Sequence, residues 1–314
     1  MDPIPSKFKK YESRSNTQHS TGIKIFSRVE YKFLKEMFGM NRVPKISLSL
    51  QDVQLKAQDM AGKMSISGVQ PKLSLKLDKN LAELVVAPTG GQYIFKPQTQ
   101  QFPHIPENEN CCMAIAGSLD INVPPHCLLT LKDGTFAYIV KRFDRQGEIK
   151  IHQEDFYQIL EKTDKYLGSL EQIGKKLKEI SAVPGLDVQR FFERVVLNFI
   201  LGNGDAHFKN FSISYHQDGI RLSPAYDLVC SKLVIPKEED SALTLNGKKN
   251  HLTRNDFEIF AEQLKIPQKI RYEKFIGEMA LIKQLIQESQ LPKDFKEKFT
   301  EIVLSRYERL KIPA

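Results

Sequence analysis

The chain has 314 residues, with 41% hydrophobic and 27% charged side chains, which is ordinary globular usage and excludes intrinsic disorder and collagen-like repeats. No apolar run approaches the ~18–20 residues needed to span a bilayer, and Met1–Lys10 lacks the apolar stretch of a secretory signal. No membrane association is expected, and the expected location is cytoplasmic. The net charge is +8, of which the first 45 residues hold +6 (ten Lys/Arg against four Asp/Glu). Such a basic arm either contacts nucleic acid or an acidic partner, or is a solvated tail. The four cysteines, Cys111, Cys112, Cys127 and Cys230, form no Cys-x-x-Cys pair. They read as buried thiols in a reducing compartment rather than as disulfides or a zinc site.

At roughly 150 residues per domain, the length suggests two domains or one bilobal one. In chain order, Ser27 is placed to cap a helix with Glu30 at its third position. Val29, Phe33 and Met37 give that helix an apolar face, and Gly39 ends it. Val43 to Lys96 reads as strands. Leu73, Leu75 and Leu77 alternate with polar residues, while Leu84–Val86 and Tyr93–Phe95 are short apolar runs bounded by Pro88 and Gly90-Gly91. Pro106 and Glu107 open a helix. Strands His126–Leu131 and Thr135–Phe143 follow, joined by the Asp133-Gly134 turn. After Asp144 helical periodicity predominates, from Gln153 to Leu201 and again from Asn255 onward. The two blocks are separated by a strand-rich insert, Phe211–Leu222. Phe191, Val195 and Phe199, with Phe192, Val196 and Ile200, form a stripe wide enough to require burial. The expectation is an α+β, bilobal fold: a β-rich lobe over 1–143 and a mostly helical lobe over 144–314.

Four constellations could carry chemistry. Asp205 and Asn210, in Gly202-Asn203-Gly204-Asp205-Ala206-His207-Phe208-Lys209-Asn210, have the Asp-x-x-x-x-Asn spacing of a kinase catalytic loop. A carboxylate there would accept a hydroxyl proton, and the amide oxygen would hold Mg²⁺. Two strands later, Pro224-Ala225-Tyr226-Asp227-Leu228 places Asp227 where a second metal ligand belongs. Taken alone, an Asp-x-x-x-x-Asn match is more often structural, and the His-Arg-Asp and Asp-Phe-Gly signatures are absent. The second constellation, Met64-Ser65-Ile66-Ser67-Gly68-Val69-Gln70-Pro71-Lys72, could form a nest of N–H groups for phosphate. A tight strand connection is the plainer meaning. In the third, Lys96 ends an apolar strand. It either snorkels or neutralises a phosphate in the manner of a kinase strand lysine, with Glu107 or Glu109 of the next helix as its acid. Exposed helix acids are commonplace, so that pairing stays open. The fourth, Val140-Lys141-Arg142-Phe143-Asp144, lies where the compositional halves meet and reads either as a hinge for a nucleotide base or as a plain connector.

Together, Ser-Ile-Ser-Gly-Val-Gln-Pro-Lys-Leu, Tyr-Ile-Phe-Lys-Pro, Glu-Asn-Glu, Val-Lys-Arg-Phe-Asp-Arg, His-Gln-Glu-Asp-Phe, Gly-Asn-Gly-Asp-Ala-His-Phe-Lys-Asn-Phe and Pro-Ala-Tyr-Asp-Leu resemble the HipA family of bacterial toxin kinases, from about Ser65 onward. The resemblance implies a protein-kinase-like fold using ATP and Mg²⁺, and phosphorylation of a protein serine or threonine. An aminoacyl-tRNA synthetase is the implied target class, with arrested translation and growth as the outcome. It implies Asp205 as catalytic base, and Asn210 and Asp227 as metal ligands. Ser67, Gly68, Val69, Gln70, Pro71 and Lys72 match the phosphate loop, Lys96 the phosphate-contacting lysine, and Lys141, Arg142 and Phe143 the adenine-binding hinge. His207, Phe208, Lys209, Asn210 and Tyr226 line the nucleotide, and Ser65 or Ser67 is the autophosphorylation site.

The implied partner is a HipB-like DNA-binding antitoxin, through which any DNA contact would run. Pro71 and Leu73 replace polar residues usual in longer relatives. The short stretch ahead of Ser65 resembles the HipT kinases, in which a small separate protein, HipS, supplies an N-terminal subdomain. Two rival functions stay open: a DNA-tethered regulatory module with an inactive site, and a small-molecule phosphotransferase.

Overall fold

The computed structural model describes residues 28–59, 72–147 and 149–313, with the side chains of 28–30 and 57–59 left out. The elements in chain order begin with α1 (Arg28–Phe38), α2 (Leu50–Asp59), β1 (Leu73–Asp78), β2 (Glu83–Val86), β3 (Tyr93–Pro97), α3 (Ile105–Ser118), β4 (His126–Thr130) and β5 (Phe136–Lys141). There follow β6 (Arg145–Gln146), β7 (Ile149–Lys150), β8 (Gln153–Asp155), α4 (Phe156–Ile159), α5 (Leu170–Ile180) and α6 (Pro184–Leu201). The chain then continues through β9 (Ser212–His216), β10 (Gly219–Leu222), α7 (Arg254–Gln263), α8 (Met279–Glu288) and α9 (Lys293–Leu310). Contacts gather these into two compact units. One comprises the described part of residues 1–101 with 125–142; the other comprises 102–124 with 143–313. The composition break predicts a single boundary after Phe143, whereas contacts group 102–124, with α3, and Phe143 itself in the second unit.

The first unit is built on a five-stranded antiparallel sheet in the order β2-β1-β3-β5-β4. Register follows from the period of two. Leu73 faces Phe95 and Leu75 faces Tyr93 across β1–β3, and Phe95 faces Ile139 across β3–β5. These residues are buried together with Leu34, Met37 and Phe38 of α1 and Val53 of α2. The Tyr93 hydroxyl donates to the Met37 carbonyl at 3.0 Å, tying the sheet to the end of α1. At that end Gly39 takes a φ of +67° and its N–H reaches the Lys35 carbonyl at 2.9 Å, so the expected stop is present. Ser27, the expected cap of α1, lies outside the described residues.

One expectation fails here. Within the stretch read as strands, Leu50–Asp59 is the helix α2. Ser49 and Asp52 cap it reciprocally: the Asp52 N–H donates to Ser49 Oγ at 3.2 Å, and the Ser49 N–H to Asp52 Oδ2 at 2.8 Å. The Ser-x-x-Asp signal was legible but lay next to the alternating Ile46-Ser47-Leu48-Ser49-Leu50, which imitates a strand.

In the second unit α6 is the central element. All six of its stripe residues are buried, and α5 and α9 pack on it. Two further expectations need correction. Gln153–Leu201 is not helical throughout, because Gln153–Asp155 is β8, which pairs with β9 some sixty residues later. Periodicity within a window is blind to such a partner. Helix α5 then starts at the Ser169–Gln172 capping box. Glu107 and Glu109 are not surface acids; they are 6% and 1% exposed. All four cysteines are free thiols, and burial pushes the Cys111 thiol up to about 12, which makes it unreactive. Among the described residues no helix is long and apolar enough to cross a membrane.

Candidate active site

The site grows out of the C-terminal end of α6. Gly202 terminates the helix in the left-handed region (φ +69°), and the Asn203 N–H returns to the Asn198 carbonyl at 2.9 Å. Gly204 must be glycine for another reason. A Cβ there would lie 2.4 Å from the Glu239 carbonyl oxygen and 2.5 Å from Glu238 Oε2. The chain is therefore pinned on both sides just before Asp205. The Gly204 N–H donates to Ser231 Oγ at 2.9 Å, and Ser231 in turn donates to Glu238. Burial raises the pKa of Glu238, and the nearby Asp205 adds to that rise.

Asp205 is half-buried, and its Oδ1 accepts a 2.8 Å hydrogen bond from the Tyr166 hydroxyl. Burial and the Asp205 hydrogen bond both raise the pKa of that phenol, so it stays a donor. His207 sits edge-on to Tyr166, ring centroids 5.1 Å apart. Lys165 Nζ lies 2.9 Å from His207 Nε2. An ammonium can only donate, so the imidazole is neutral and carries its proton on Nδ1. Burial lowers the His207 pKa; Asp205 and Asp227 oppose the shift, and Lys165 reinforces it. The Nδ1 atom is buried and has no hydrogen-bond partner among the described residues.

Asn210 closes the loop. Its Oδ1 accepts the His207 backbone N–H at 3.0 Å, and its Nδ2 donates to Asp227 Oδ2 at 2.7 Å. The β9–β10 hairpin makes this meeting possible. It carries the chain out along β9 and back along β10, with Leu222 opposite Ile213, so residues 17 apart in sequence are in contact. Asp227 has a φ of +59°, a left-handed backbone that few non-glycine residues adopt and that aspartate tolerates better than most. Tyr226 is held by a 2.8 Å hydrogen bond from its hydroxyl to the Lys209 carbonyl, and stacks at 5.7 Å on Phe143. Lys209 lies 4.4 Å over the Tyr157 ring. Phe208 is fully buried beneath the loop.

The donor set fits a hard cation. The Asn210 carbonyl oxygen keeps a second lone pair beyond the one given to His207, and the Asp227 carboxylate is adjacent. Mg²⁺ is characteristically held by one or two such oxygens and completed by water and phosphate. Among the described residues no cluster of three or more His, Cys, Asp or Glu forms a protein-only cage.

In the first unit, Lys96 is 6% exposed, with Nζ 5.8 Å from the Tyr138 ring centroid. That burial leaves little of the Lys96 side chain in water. The Lys141 ammonium donates to the Glu36 carbonyl at the end of α1 at 2.6 Å. The backbone N–H groups of Lys141 and Arg142 bond the carbonyls of Pro125 and Gln92, both at 2.9 Å. Those two backbone N–H groups are therefore already paired, while the Lys141 ammonium, with three N–H donors, keeps further ones. Lys72 is half-buried at the start of β1. Ser65, Ser67, Gly68, Val69, Gln70 and Pro71 lie outside the described residues.

Sequence reasoning missed Tyr166, Lys165, Glu238 and Asn108. Asn108, inside the Glu-Asn-Glu motif, pairs with the Cys230 backbone through both of its amide atoms, at 3.0 and 2.8 Å. It thereby ties α3 to the segment that follows Asp227. A motif with two acids drew attention to the acids, while the residue between them makes the structural contact.

A helical unit with this loop–hairpin–aspartate arrangement, together with a five-stranded antiparallel unit, defines a kinase-like fold. Solved structures agree. The HipA chain of a Shewanella oneidensis complex of HipA, HipB and operator DNA matches with a TM-score of 0.64 at 23% identity, over 79% of this chain and 66% of that one. The Helicobacter pylori proinflammatory kinase CtkA matches with a TM-score of 0.56 at 18% identity, over 79% and 91%.

The family model for the HipA-like C-terminal domain matches residues 64–287, and this chain belongs to that family. A Haemophilus influenzae protein named "Putative kinase" is 28% identical over 85% of this chain and 86% of its own length. A second protein so named, from Sinorhizobium fredii, is 33% identical over 69% of this chain and 57% of its own length. The serine/threonine-protein kinase toxin HipA of Shewanella oneidensis is 25% identical over 66% and 53%. The chain thus spans most of the first relative and little more than half of the other two.

Proposed function

We propose that this chain is an ATP- and Mg²⁺-dependent serine/threonine protein kinase acting as the toxin of a toxin–antitoxin pair. The observation that carries the reading is the Asn210–Asp227 pair, 2.7 Å between amide and carboxylate, on the loop that carries Asp205 at the end of one buried helix. Asp205 would take the proton of a substrate hydroxyl, with Tyr166 holding the carboxylate's orientation through the 2.8 Å bond. The hydroxyl oxygen forms the new bond to the γ-phosphorus of ATP as the bond to the β-phosphate oxygen breaks, and ADP leaves. Bound Mg²⁺ would supply charge neutralisation on the phosphates. Asn210 and Asp227 would hold it, and His207, Phe208 and Lys209 of the same loop would line the nucleotide. Tyr226 and Phe143 would flank the base, and Lys96, Lys72 and the Ser67–Pro71 loop would meet the phosphates.

The finer reading has an aminoacyl-tRNA synthetase as target, a HipB-like antitoxin as the partner that brings the chain to DNA, a HipT-type architecture completed by a HipS-like protein, and a cytoplasmic setting. Self-phosphorylation at Ser65 or Ser67 would close the phosphate loop to ATP, because a phosphoserine dianion repels a triphosphate. What supports it is the family membership and the Shewanella relatives.

The test is transfer of labelled γ-phosphate by the purified protein, with phosphoproteomics after brief expression, comparing wild type with Asp205→Ala. Phosphate on a cellular protein and on Ser65 or Ser67, present only with Asp205, is expected. Undiminished transfer by a folded Asp205→Ala protein would sink the assignment.

A further inference from the structure

Lys165 stands 42 residues before His207, yet the fold holds it against the Asp205 loop. Its backbone carbonyl accepts the Phe208 N–H at 3.3 Å. The next residue is fixed from two sides. The Tyr166 N–H donates to Asp164 Oδ1 at 2.8 Å, and the Lys249 ammonium donates to the Tyr166 carbonyl at 3.1 Å. Lys165 itself is half-buried, and its ammonium has two neighbours. It donates to His207 Nε2 at 2.9 Å and lies 4.6 Å from the centroid of the Tyr166 ring.

Both neighbours are neutral. An imidazole lone pair and an aromatic face orient an ammonium without cancelling its charge. Lys248 and Lys274 of the same unit show the contrast: they meet Asp256 at 2.8 Å and Glu193 at 3.0 Å. Among the described residues no carboxylate forms an ion pair with Lys165. An ammonium carries three N–H donors, so two remain after His207. The charges of Asp205 and Asp227 act on the same imidazole as that of Lys165. One ring therefore has the candidate proton acceptor, the candidate metal acid and an uncancelled cation around it.

We propose that Lys165 is a further catalytic residue, whose spare N–H donors hold the non-bridging oxygens of the phosphoryl group during transfer. The inference rests on the kinase reading. As the substrate oxygen bonds to the γ-phosphorus, the bond to the ADP oxygen breaks and the hydroxyl proton passes to Asp205. Lys165 keeps its own protons throughout. Phosphoryl transfer leaves the protein little covalent chemistry to do, so a cation fixed in advance beside the transferring oxygens acts on the barrier directly. A compact ammonium suits that task as a point charge.

The test is titration calorimetry of the full chain, with Mg²⁺ present, using two probes: ADP alone, and ADP with fluoroaluminate, whose anion stands in for the phosphoryl group during transfer. Wild type is expected to bind the second at least about 10²-fold more tightly, as transition-state analogues do. Lys165→Met should bind ADP as wild type does, which also reports an intact site. It should lose about ten-fold or more of the preference for the fluoroaluminate complex, and its kcat should fall about 10²-fold. Lys165→Arg, which restores a cation, should recover part of both. Equal weakening of the two probes in Lys165→Met and in Lys165→Gln would make Lys165 only a prop for His207 and would overturn the inference. So would an undiminished preference, or a wild type that binds ADP with no preference to lose. A wild type that binds neither probe would overturn the kinase reading and this inference with it, so the two failures are told apart.

Discussion

Asp240 and Asp205 are aspartates of the same unit with opposite surroundings. Asp240 is 5% exposed and is gripped by Arg306 and Arg309, each at 2.5 Å, and by the Leu252 N–H at 3.0 Å. Burial alone would raise its pKa, but Arg309 and Arg306 overcome that and hold it at about 2. Asp205 is half-buried and takes its hydrogen bond from a neutral phenol. A guanidinium fork cancels a carboxylate's charge and uses its lone pairs. A hydroxyl fixes the carboxylate's direction without cancelling its charge. The first arrangement is what a structural acid needs, and the second suits an acid that must take up a proton.

The largest expected effect tests the second arrangement. Asp205→Ala should lower phosphoryl transfer by about 10²–10⁴-fold, the usual span for a general base, with the Tm unchanged by calorimetry. A large loss of Tm would move Asp205 to the structural class.

Asp240→Ala should do the reverse. It leaves Arg306, 4% exposed, buried without its acid, at a cost of about 3–5 kcal/mol. Urea unfolding should show that loss, with transfer per folded molecule little changed. The pH dependence follows from the depressed pKa. The stabilisation is present above the unfolded value of 3.8 and is lost as the pH falls toward about 2. Urea midpoints between pH 5 and pH 2.5 should therefore fall more steeply in wild type than in Asp240→Asn.

Asp227→Asn removes one charge next to Asn210. The Mg²⁺ concentration for half-maximal transfer should rise about ten-fold or more, while nucleotide binding without metal changes little. An unaltered Mg²⁺ titration would take Asp227 out of the metal site.

Tyr166→Phe deletes only the hydroxyl that orients Asp205. One hydrogen bond at a 39%-exposed tyrosine is worth about 1 kcal/mol, or roughly a five-fold drop in kcat with KM held. Wild-type kcat in a folded Tyr166→Phe protein would make Tyr166 mere packing.

How far the site could be read in advance depended on distance along the chain. Asp205 and Asn210 are five positions apart on one loop, and glycines on either side of Asn203 announce the end of α6, so local spacing sufficed. Asp227 was within reach because a hairpin returns the chain by a known amount. Tyr166 reaches Asp205 across 39 residues, and Asn108 reaches Cys230 across 122. Neither has a periodic or turn signal to betray it. Helix α2 was hidden by neighbouring alternation, and β8 by a partner sixty residues away.

What the sequence alone determined was therefore whatever is encoded within a turn or a period. That covers the buried stripe of α6, the Gly202 stop, the Asp133-Gly134 hairpin, the alternation of β1 and the Asp205-to-Asn210 spacing, since backbone sterics and side-chain periodicity act over a few residues. Only the tertiary structure decided which donors meet each acid. Asp240, Asp187 and Asp205 look alike in a string of letters. Their roles diverge because folding brings arginines to the first, backbone and hydroxyl donors to the second, and a single phenol to the third. The charge a carboxylate keeps depends on the dielectric and the donors around it, and both are set by residues distant in the chain.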